Sequence, residues 1–200
     1  MNNIKILSIK DISVEAYQLY LSLASPFKKR RLARYRDKND KLRSIASDIL
    51  IRQAVSAYKK IPIETVKILT NPFGKPYTPN CRLEYNVSHS HQLSILGCCL
   101  RPIGVDIEKM EEIEFDAILK QFGTELEYSN FKKSNHQKEY FYKIWTLKEA
   151  YFKCLGTGIT DLQAIEIIIK DNRIITNKLE YRFESFLVHK DYMAAVCYQI

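Results

Sequence analysis

The sequence has few of the residues that build disulfide or metal scaffolds. Its 200 residues include five cysteines, six glycines and one tryptophan, and no Cys-x-x-Cys pair. An odd cysteine count without paired spacing excludes a disulfide framework and favours reduced, buried thiols in a cytoplasmic protein. His89, His91, Cys98 and Cys99 lie near one another in the chain, but their spacing matches no standard zinc pattern.

Long apolar runs are also absent. The longest, LSILGCCL over residues 93–100, is far shorter than the roughly 20 residues that span a bilayer. The opening residues, MNNIKILSIKD, lack a basic region followed by an apolar core, so we expect neither a secretion signal nor a membrane partner. Low-complexity segments and strong internal repeats are also absent from the sequence.

The chain instead carries a positive charge. There are 31 Lys and Arg against 23 Asp and Glu, a formal net charge of +8, and an ordinary apolar share of 46%. Such a chain can form a sizeable core and favours anionic partners, whether nucleic acids, phosphorylated cofactors, acidic proteins or membranes. A basic nucleic-acid-binding domain is an alternative interpretation. No RNA- or DNA-reading motif accompanies the basic residues, however, so the sequence predicts no nucleic-acid partner.

Hydrophobic periodicity predicts an α+β protein. Strands are expected at NIKILSI, at TVKIL (65–69), on both sides of a polar SHSHQ turn, at residues 102–108, and after Ala164 with breaks at 170–172 and 189–191. Helices are predicted from Ser25-Pro26, from near Asp40, and over most of residues 111–155. The halves meet near Arg101-Pro102, which predicts two lobes, 1–101 and 102–200, or one domain with a central cleft.

Two short stretches carry the strongest chemical pattern. In GVDIE (104–108), strand alternation turns Asp106 and Glu108 to one side, about 6.6 Å apart, with Gly104 leaving room for a ligand. In WTLKEAYFK (145–153), Glu149 and Lys153 share one helix face. Taken alone, either stretch reads as a surface charge pair.

Together the stretches supply three carboxylates and a lysine, which suits a Mg²⁺ site that handles phosphate. A metal-dependent nuclease also uses such groups, but usually with Glu-x-Lys on a strand, whereas Glu149 and Lys153 are four apart on a predicted helix. A Ser-His nucleophile pair within SHS can be drawn, but nothing else in the chain supports acyl transfer.

The motifs resemble those of the 4′-phosphopantetheinyl transferases, in the longer form that activates surfactin synthetase. GVDIE and WTLKEAYFK resemble the paired signature of that family. FGKPY (73–77), YNVSHS (85–90) and the basic segment 25–44 resemble three further elements, in the expected order. The match extends from about Ser25 to Gly158.

This resemblance implies a reaction, a fold and partners. Phosphopantetheine would move from coenzyme A to a serine of an apo acyl- or peptidyl-carrier protein, leaving adenosine 3′,5′-bisphosphate. The fold would be a pseudo-dimer of two similar α+β lobes with the active site in the cleft between them. The resemblance further implies Mg²⁺, with Mn²⁺ as an alternative, an acidic carrier and a monomeric enzyme. The type of carrier remains open among those of peptide synthetases, polyketide synthases and fatty-acid synthases. The pathway therefore also remains open, with antibiotic biosynthesis and other secondary metabolism among the alternatives.

The resemblance also assigns residues. Asp106, Glu108 and Glu149 would hold the metal, Glu149 or a water would take the serine proton, and Lys153 would bind the pyrophosphate. The expected contacts with the coenzyme 3′-phosphate are Lys28, Arg31, Arg43 and His89. Lys75 and Pro76 are expected beside the adenine, and Ser88 is a further expected coenzyme contact. One departure is Gly123, where the family often has an aromatic residue, which leaves the preferred carrier open.

Overall fold

A computed structural model describes residues 3–170 and 173–200. The chain groups into two compact units, Met1–Leu100 and Arg101–Ile200. The first contains β1 (Asn3–Ser8), α1 (Val14–Leu23), α2 (Pro26–Arg34), α3 (Lys38–Lys59), β2 (Leu69–Thr70), β3 (Pro76–Tyr77), β4 (Glu84–Ser90) and β5 (Leu93–Cys99). The second contains β6 (Ile103–Lys109), α4 (Phe115–Phe122), α5 (Glu125–Lys133), α6 (Gln137–Leu155), β7 (Ile167–Lys170), β8 (Arg173–Thr176), β9 (Tyr181–Val188) and β10 (Tyr192–Gln199).

The two units share one topology. Each has a three-stranded antiparallel sheet, in the order β1-β5-β4 in the first unit and β6-β10-β9 in the second. In each, the first strand pairs with the second strand of a hairpin, and a long helix and a two-stranded ribbon lie between them in sequence. The predicted α+β class, with two similar lobes, is therefore confirmed even though the sequence shows no strong repeat.

Local signals set the helix ends as predicted. The Ser25 hydroxyl accepts a hydrogen bond from the backbone of Lys28, and Pro26 occupies the first turn of α2. Helix α3 begins two residues earlier than expected because Asp37 caps it. Helix α6 ends at Leu155 and is capped by Gly156, whose φ of 72° is the left-handed conformation that glycine adopts without strain.

Two predicted elements differ in the structure. The TVKIL strand is wrong: residues Ile63–Thr65 form a turn of 3₁₀ helix, and only Leu69 of the predicted segment lies in a strand. Buried Arg52 explains this, since its guanidinium donates to the carbonyls of Ile63 and Val66 and satisfies them without a strand partner. Helix α1 was not predicted.

The turn predicted over SHSHQ is shorter than expected. Strand β4 continues through Ser90, and only the residues between β4 and β5 form the turn. Of the predicted break at 170–172, residues 171 and 172 lie outside the described residues. The break at 189–191 is confirmed between β9 and β10.

The second unit is organised by a close crossing of α6 over β6. A Cβ atom placed on Gly104 would lie 2.0 Å from the Ala150 carbonyl oxygen and 2.2 Å from the Cys154 nitrogen. The expectation that Gly104 leaves room for a ligand is therefore wrong, because helix backbone fills that room. On the neighbouring strand β10, Ala195 and Cys197 belong to the same core cluster as α6.

We expect Gly104→Ala to destabilise the protein by about 3 kcal/mol, the upper end of the usual cost of overpacking, because backbone atoms of α6 cannot move aside as a side chain can. Urea unfolding of the wild type and the variant measures the difference. Gly74→Ala is the control: its site is open but has a φ of +85°, so it should cost only about 1–2 kcal/mol of backbone strain. Equal costs for the two substitutions would contradict the close crossing.

Candidate active site

The α6–β6 crossing brings Asp106, Glu149 and Lys153 together. The Lys153 ammonium lies 2.6 Å from an Asp106 carboxylate oxygen and 3.8 Å from one of Glu149. Asp106 is 1% exposed, whereas the side chain of Lys153 is 29% exposed. Because Glu149 and Lys153 are four residues apart on α6, one helix face carries both groups to the strand.

The environment changes the proton affinities of these groups. Burial raises the pKa of Glu149; the charge of Lys153 opposes that shift, and the charge of Asp106 adds to it. For Lys153, burial is the largest single influence and disfavours the charge, but the attraction and hydrogen bond of Asp106, together with Glu149 and Glu108, raise its pKa overall. Lys153 is therefore a stable cation, and Glu149 is a more basic carboxylate than one in water.

The predicted metal ligands are only partly gathered. Asp106 and Glu149 converge on one ammonium, while Glu108 lies two residues further along β6, half-buried. In residues 3–170 and 173–200, no group of three His, Cys, Asp or Glu side chains is placed to hold a metal ion. The donors are carboxylates, so their chemistry fits Mg²⁺, which prefers oxygen ligands.

A buried ion pair, missed by the sequence reasoning, fixes the same helix from behind. Lys148 and Glu127 are both fully buried, with their charged groups 2.8 Å apart. The Lys148 ammonium also donates to the carbonyls of Leu162 and Ile165, and Glu127 accepts from the backbone N–H groups of Thr124 and Ile167. Burial lowers the pKa of Lys148 and raises that of Glu127, while their mutual attraction opposes both shifts.

In the first unit, Lys28 and Arg31 lie on α2 in different environments. The Lys28 ammonium is 2.9 Å from Asp48 and 3.0 Å from the Ser44 carbonyl, both on α3. Burial lowers the pKa of Lys28, against the attraction of Asp48. Arg31 is exposed. Of these two predicted phosphate contacts on α2, Lys28 also joins α2 to α3, whereas Arg31 faces solvent.

Arg43 links α3 to the β4–β5 turn. Its guanidinium donates to the His91 carbonyl at 2.7 Å and pairs with Asp40. Arg43 precedes Ser44, whose carbonyl accepts a hydrogen bond from Lys28, and the β4–β5 turn follows His89. The structure therefore brings three predicted phosphate contacts, Lys28, Arg43 and His89, into one region of the first unit. His89 is exposed and Ser88 is buried on β4.

Lys75 and Pro76 lie at the β2–β3 connection, which Asn71 organises. The Asn71 side-chain oxygen accepts from the backbone N–H groups of Phe73 and Lys75. Gly74 completes the turn with its positive φ, and Phe73 is exposed. The backbone of this loop is therefore fixed by its own hydrogen bonds.

Comparison with known proteins matches both units. Residues 102–197 match the profile of the 4′-phosphopantetheinyl transferase superfamily, and residues 12–100 match that of the 4′-phosphopantetheinyl transferase N-terminal region. The chain is 32% identical over 154 residues to 4′-phosphopantetheinyl transferase Sfp of Bacillus subtilis strain 168, covering 76% of this chain and 68% of that protein. It is 29% identical over 197 residues to the transferase ffp of Bacillus subtilis, covering 94% and 88% of the two chains. The transferase gsp of Aneurinibacillus migulanus is 32% identical over 151 residues, covering 74% and 63%.

The chain belongs to the 4′-phosphopantetheinyl transferase superfamily. The resemblance read from its motifs is thereby confirmed. So is the predicted activity, transfer of 4′-phosphopantetheine from coenzyme A to a carrier protein. Within the part of the chain that the structure describes, no helix is both long enough and apolar enough to cross a bilayer.

We expect Lys148→Met to lower the free energy of unfolding by about 3–5 kcal/mol, because Glu127 is left buried without its counter-charge. Lys138→Met is the control, since Lys138 pairs with Glu112 at the surface and its loss should cost at most about 1 kcal/mol. Denaturant unfolding monitored by far-UV circular dichroism measures both. A Lys148→Met variant as stable as the control would show that the buried pair does not hold α6.

Proposed function

We propose that the face of α6 turned toward Asp106 performs the transfer chemistry, with Glu149 as base and Lys153 as the group that binds the pyrophosphate. One observation carries this proposal: the Lys153 ammonium is held between Asp106 and Glu149 at the α6–β6 crossing. Phosphoryl transfer depends on positioning and charge neutralisation more than on covalent catalysis, and these three groups supply both.

Glu149 would accept the proton of the carrier serine hydroxyl. A serine hydroxyl is a weak nucleophile at neutral pH and needs a base within hydrogen-bond distance. The raised pKa of Glu149, caused first by burial, makes its carboxylate a stronger proton acceptor. The runner-up is a water molecule as base, with Glu149 as a ligand only.

Lys153 would bind the pyrophosphate and stabilise the negative charge that develops on the leaving group. An ammonium has three N–H donors, so it can donate to a phosphate oxygen while it remains paired with Asp106. Its partial exposure leaves it accessible to an anionic ligand, and its raised pKa keeps it charged.

Asp106, Glu149 and Glu108 would hold Mg²⁺, or Mn²⁺, which when bound neutralises pyrophosphate charge. The first lobe, residues 1–101, would hold the rest of coenzyme A. Arg31, Lys28, Arg43 and His89 would contact the 3′-phosphate, Lys75 and Pro76 would lie beside the adenine, and Ser88 would be a further coenzyme contact. The second lobe, residues 102–200, would carry the metal and the catalytic helix.

The net charge of +8 supports an acidic carrier protein as the partner, because opposite charges speed encounter. A cytoplasmic, monomeric enzyme remains our prediction for its cellular state.

The direct test is to incubate the protein with coenzyme A, Mg²⁺ and a panel of apo carrier proteins and to weigh the products. One carrier should gain the mass of a single phosphopantetheine, and adenosine 3′,5′-bisphosphate should appear in equal amount. Chelation by EDTA should stop the reaction, and Mg²⁺ should restore it. No modification of any peptide-synthetase, polyketide or fatty-acid carrier would reject the proposed transfer, and full activity in EDTA would reject the metal.

We expect Glu149→Gln to lower the single-turnover rate by about 10²–10⁴-fold, since the amide cannot accept the serine proton. Coenzyme A affinity, measured by calorimetry, should change much less. Glu139→Gln, at an exposed position of the same helix, is the control and should match the wild type. If rate and affinity fall equally, Glu149 is only a ligand and a water is the base.

We expect Arg31→Glu to raise the KM for coenzyme A about tenfold or more, because a charge-assisted hydrogen bond to phosphate is replaced by repulsion. Dephospho-coenzyme A lacks the 3′-phosphate, so its KM should change little. Arg34→Glu, exposed at the end of the same helix, is the matched control for net charge. Equal losses with both cofactors, or equal effects of the two substitutions, would remove Arg31 from the 3′-phosphate site.

A further inference from the structure

Two buried cysteines meet beneath the catalytic helix. Cys154 is on α6, next to Lys153, and Cys197 is on β10. Neither is in a disulfide, and both belong to the same core cluster, 2% and 0% exposed. Neither has a role in the proposed transfer chemistry.

The sheet register explains why the two thiols are close. Cys197 pairs with Gly104 across the β6–β10 ladder, and the Cys154 nitrogen lies 2.2 Å from where a Gly104 Cβ would be. The Cys154 backbone therefore lies over β6. Adjacent strands are about 4.8 Å apart, and β10, which carries Cys197, is the strand next to β6. This spacing is compatible with the Cα separation of about 4.4–6.8 Å that a disulfide requires. Contact with the Cys154 thiol is also among the influences that raise the pKa of Cys197.

We propose that Cys154 and Cys197 are a redox-sensitive modification site, at which peroxide forms a disulfide that joins the end of α6 to β10 and lowers transfer activity. One sulfur attacks a peroxide oxygen, the O–O bond breaks, and a sulfenic acid and one water form. The second sulfur attacks the first, the S–S bond forms, the S–O bond breaks, and a second water leaves. The two sulfurs together lose two electrons, and peroxide is reduced to two waters.

The disulfide affects the active site through its position. An S–S bond of about 2.0 Å is shorter than any contact between unbonded thiols, so its formation draws α6 toward β10 in a close-packed core. Lys153, adjacent to Cys154, then moves relative to Asp106. Misplacement by about 1 Å can cost about a hundredfold in rate.

Burial limits when this occurs. It raises the pKa of the Cys197 thiol, and the contact with Cys154 adds to the shift, so little thiolate is present at neutral pH. The pair therefore stays reduced during brief exposure and reacts during sustained exposure. A thiol reductant reverses the disulfide.

The test exposes reduced enzyme to hydrogen peroxide for increasing times, removes the peroxide with catalase, and blocks remaining thiols by alkylation. Peptide mass spectrometry should find a Cys154–Cys197 cross-link that grows as kcat/KM falls by about tenfold to a hundredfold, and dithiothreitol should reverse both changes. The cross-link is measured again after the assay, because coenzyme A carries a thiol that can reduce it.

Variants separate this site from general oxidation. Cys197→Ala and Cys154→Ala should each keep their activity through the same treatment, while Cys81→Ala, which removes a half-buried thiol elsewhere, should lose activity as the wild type does. Absence of the cross-link in denaturant-free enzyme, or a cross-link without loss of activity, would overturn the proposal. Because the cross-link is read by mass, it can be found even if the proposed roles of Glu149 and Lys153 are wrong.

Discussion

The candidate active site depends on one contact, the crossing of helix backbone over Gly104. Any side chain there would meet the Ala150 carbonyl and the Cys154 nitrogen. Because the crossing is so close, Lys153 reaches Asp106 with a direct ion pair of 2.6 Å, and Glu149 is carried to the same place. A single missing side chain in β6 thus determines where the charged groups on α6 meet the strand.

Behind this crossing, the Lys148–Glu127 pair holds α6 from the opposite side. Desolvating two charges is costly, and such a pair is weak evidence for high stability. Its effect is better described as fixing position, because it connects α6 to α5 and to the segment around Leu162 and Ile165 through donors and acceptors with defined directions. Of two consecutive residues of α6, Lys148 therefore anchors the helix, and Glu149 is the residue proposed as the base.

Much of this arrangement can be predicted from sequence, for reasons that differ by residue. Ser25-Pro26 and Gly156 are local signals, and local signals set helix ends. The shared side of Asp106 and Glu108 follows from strand alternation. Gly104 was misread because a sequence shows only that a side chain is absent, not whether a ligand or a helix occupies the space. Lys148 was missed because its partner Glu127 is distant in the chain, and the TVKIL strand failed because the side chain of Arg52 satisfies the carbonyls that a strand would pair.

The strand order of each unit has a consequence for folding during synthesis. In both sheets the first strand pairs with the last, as in Asn3 with Cys98 and Ile103 with Tyr198. Contacts between such distant residues give a high contact order, which slows folding because a long loop must close first. Strand β6, which carries Asp106, cannot complete its ladder until β10 has emerged from the ribosome. Asp106, a proposed metal ligand, is therefore among the last groups in its unit to reach its native surroundings, although it lies near the start of that unit.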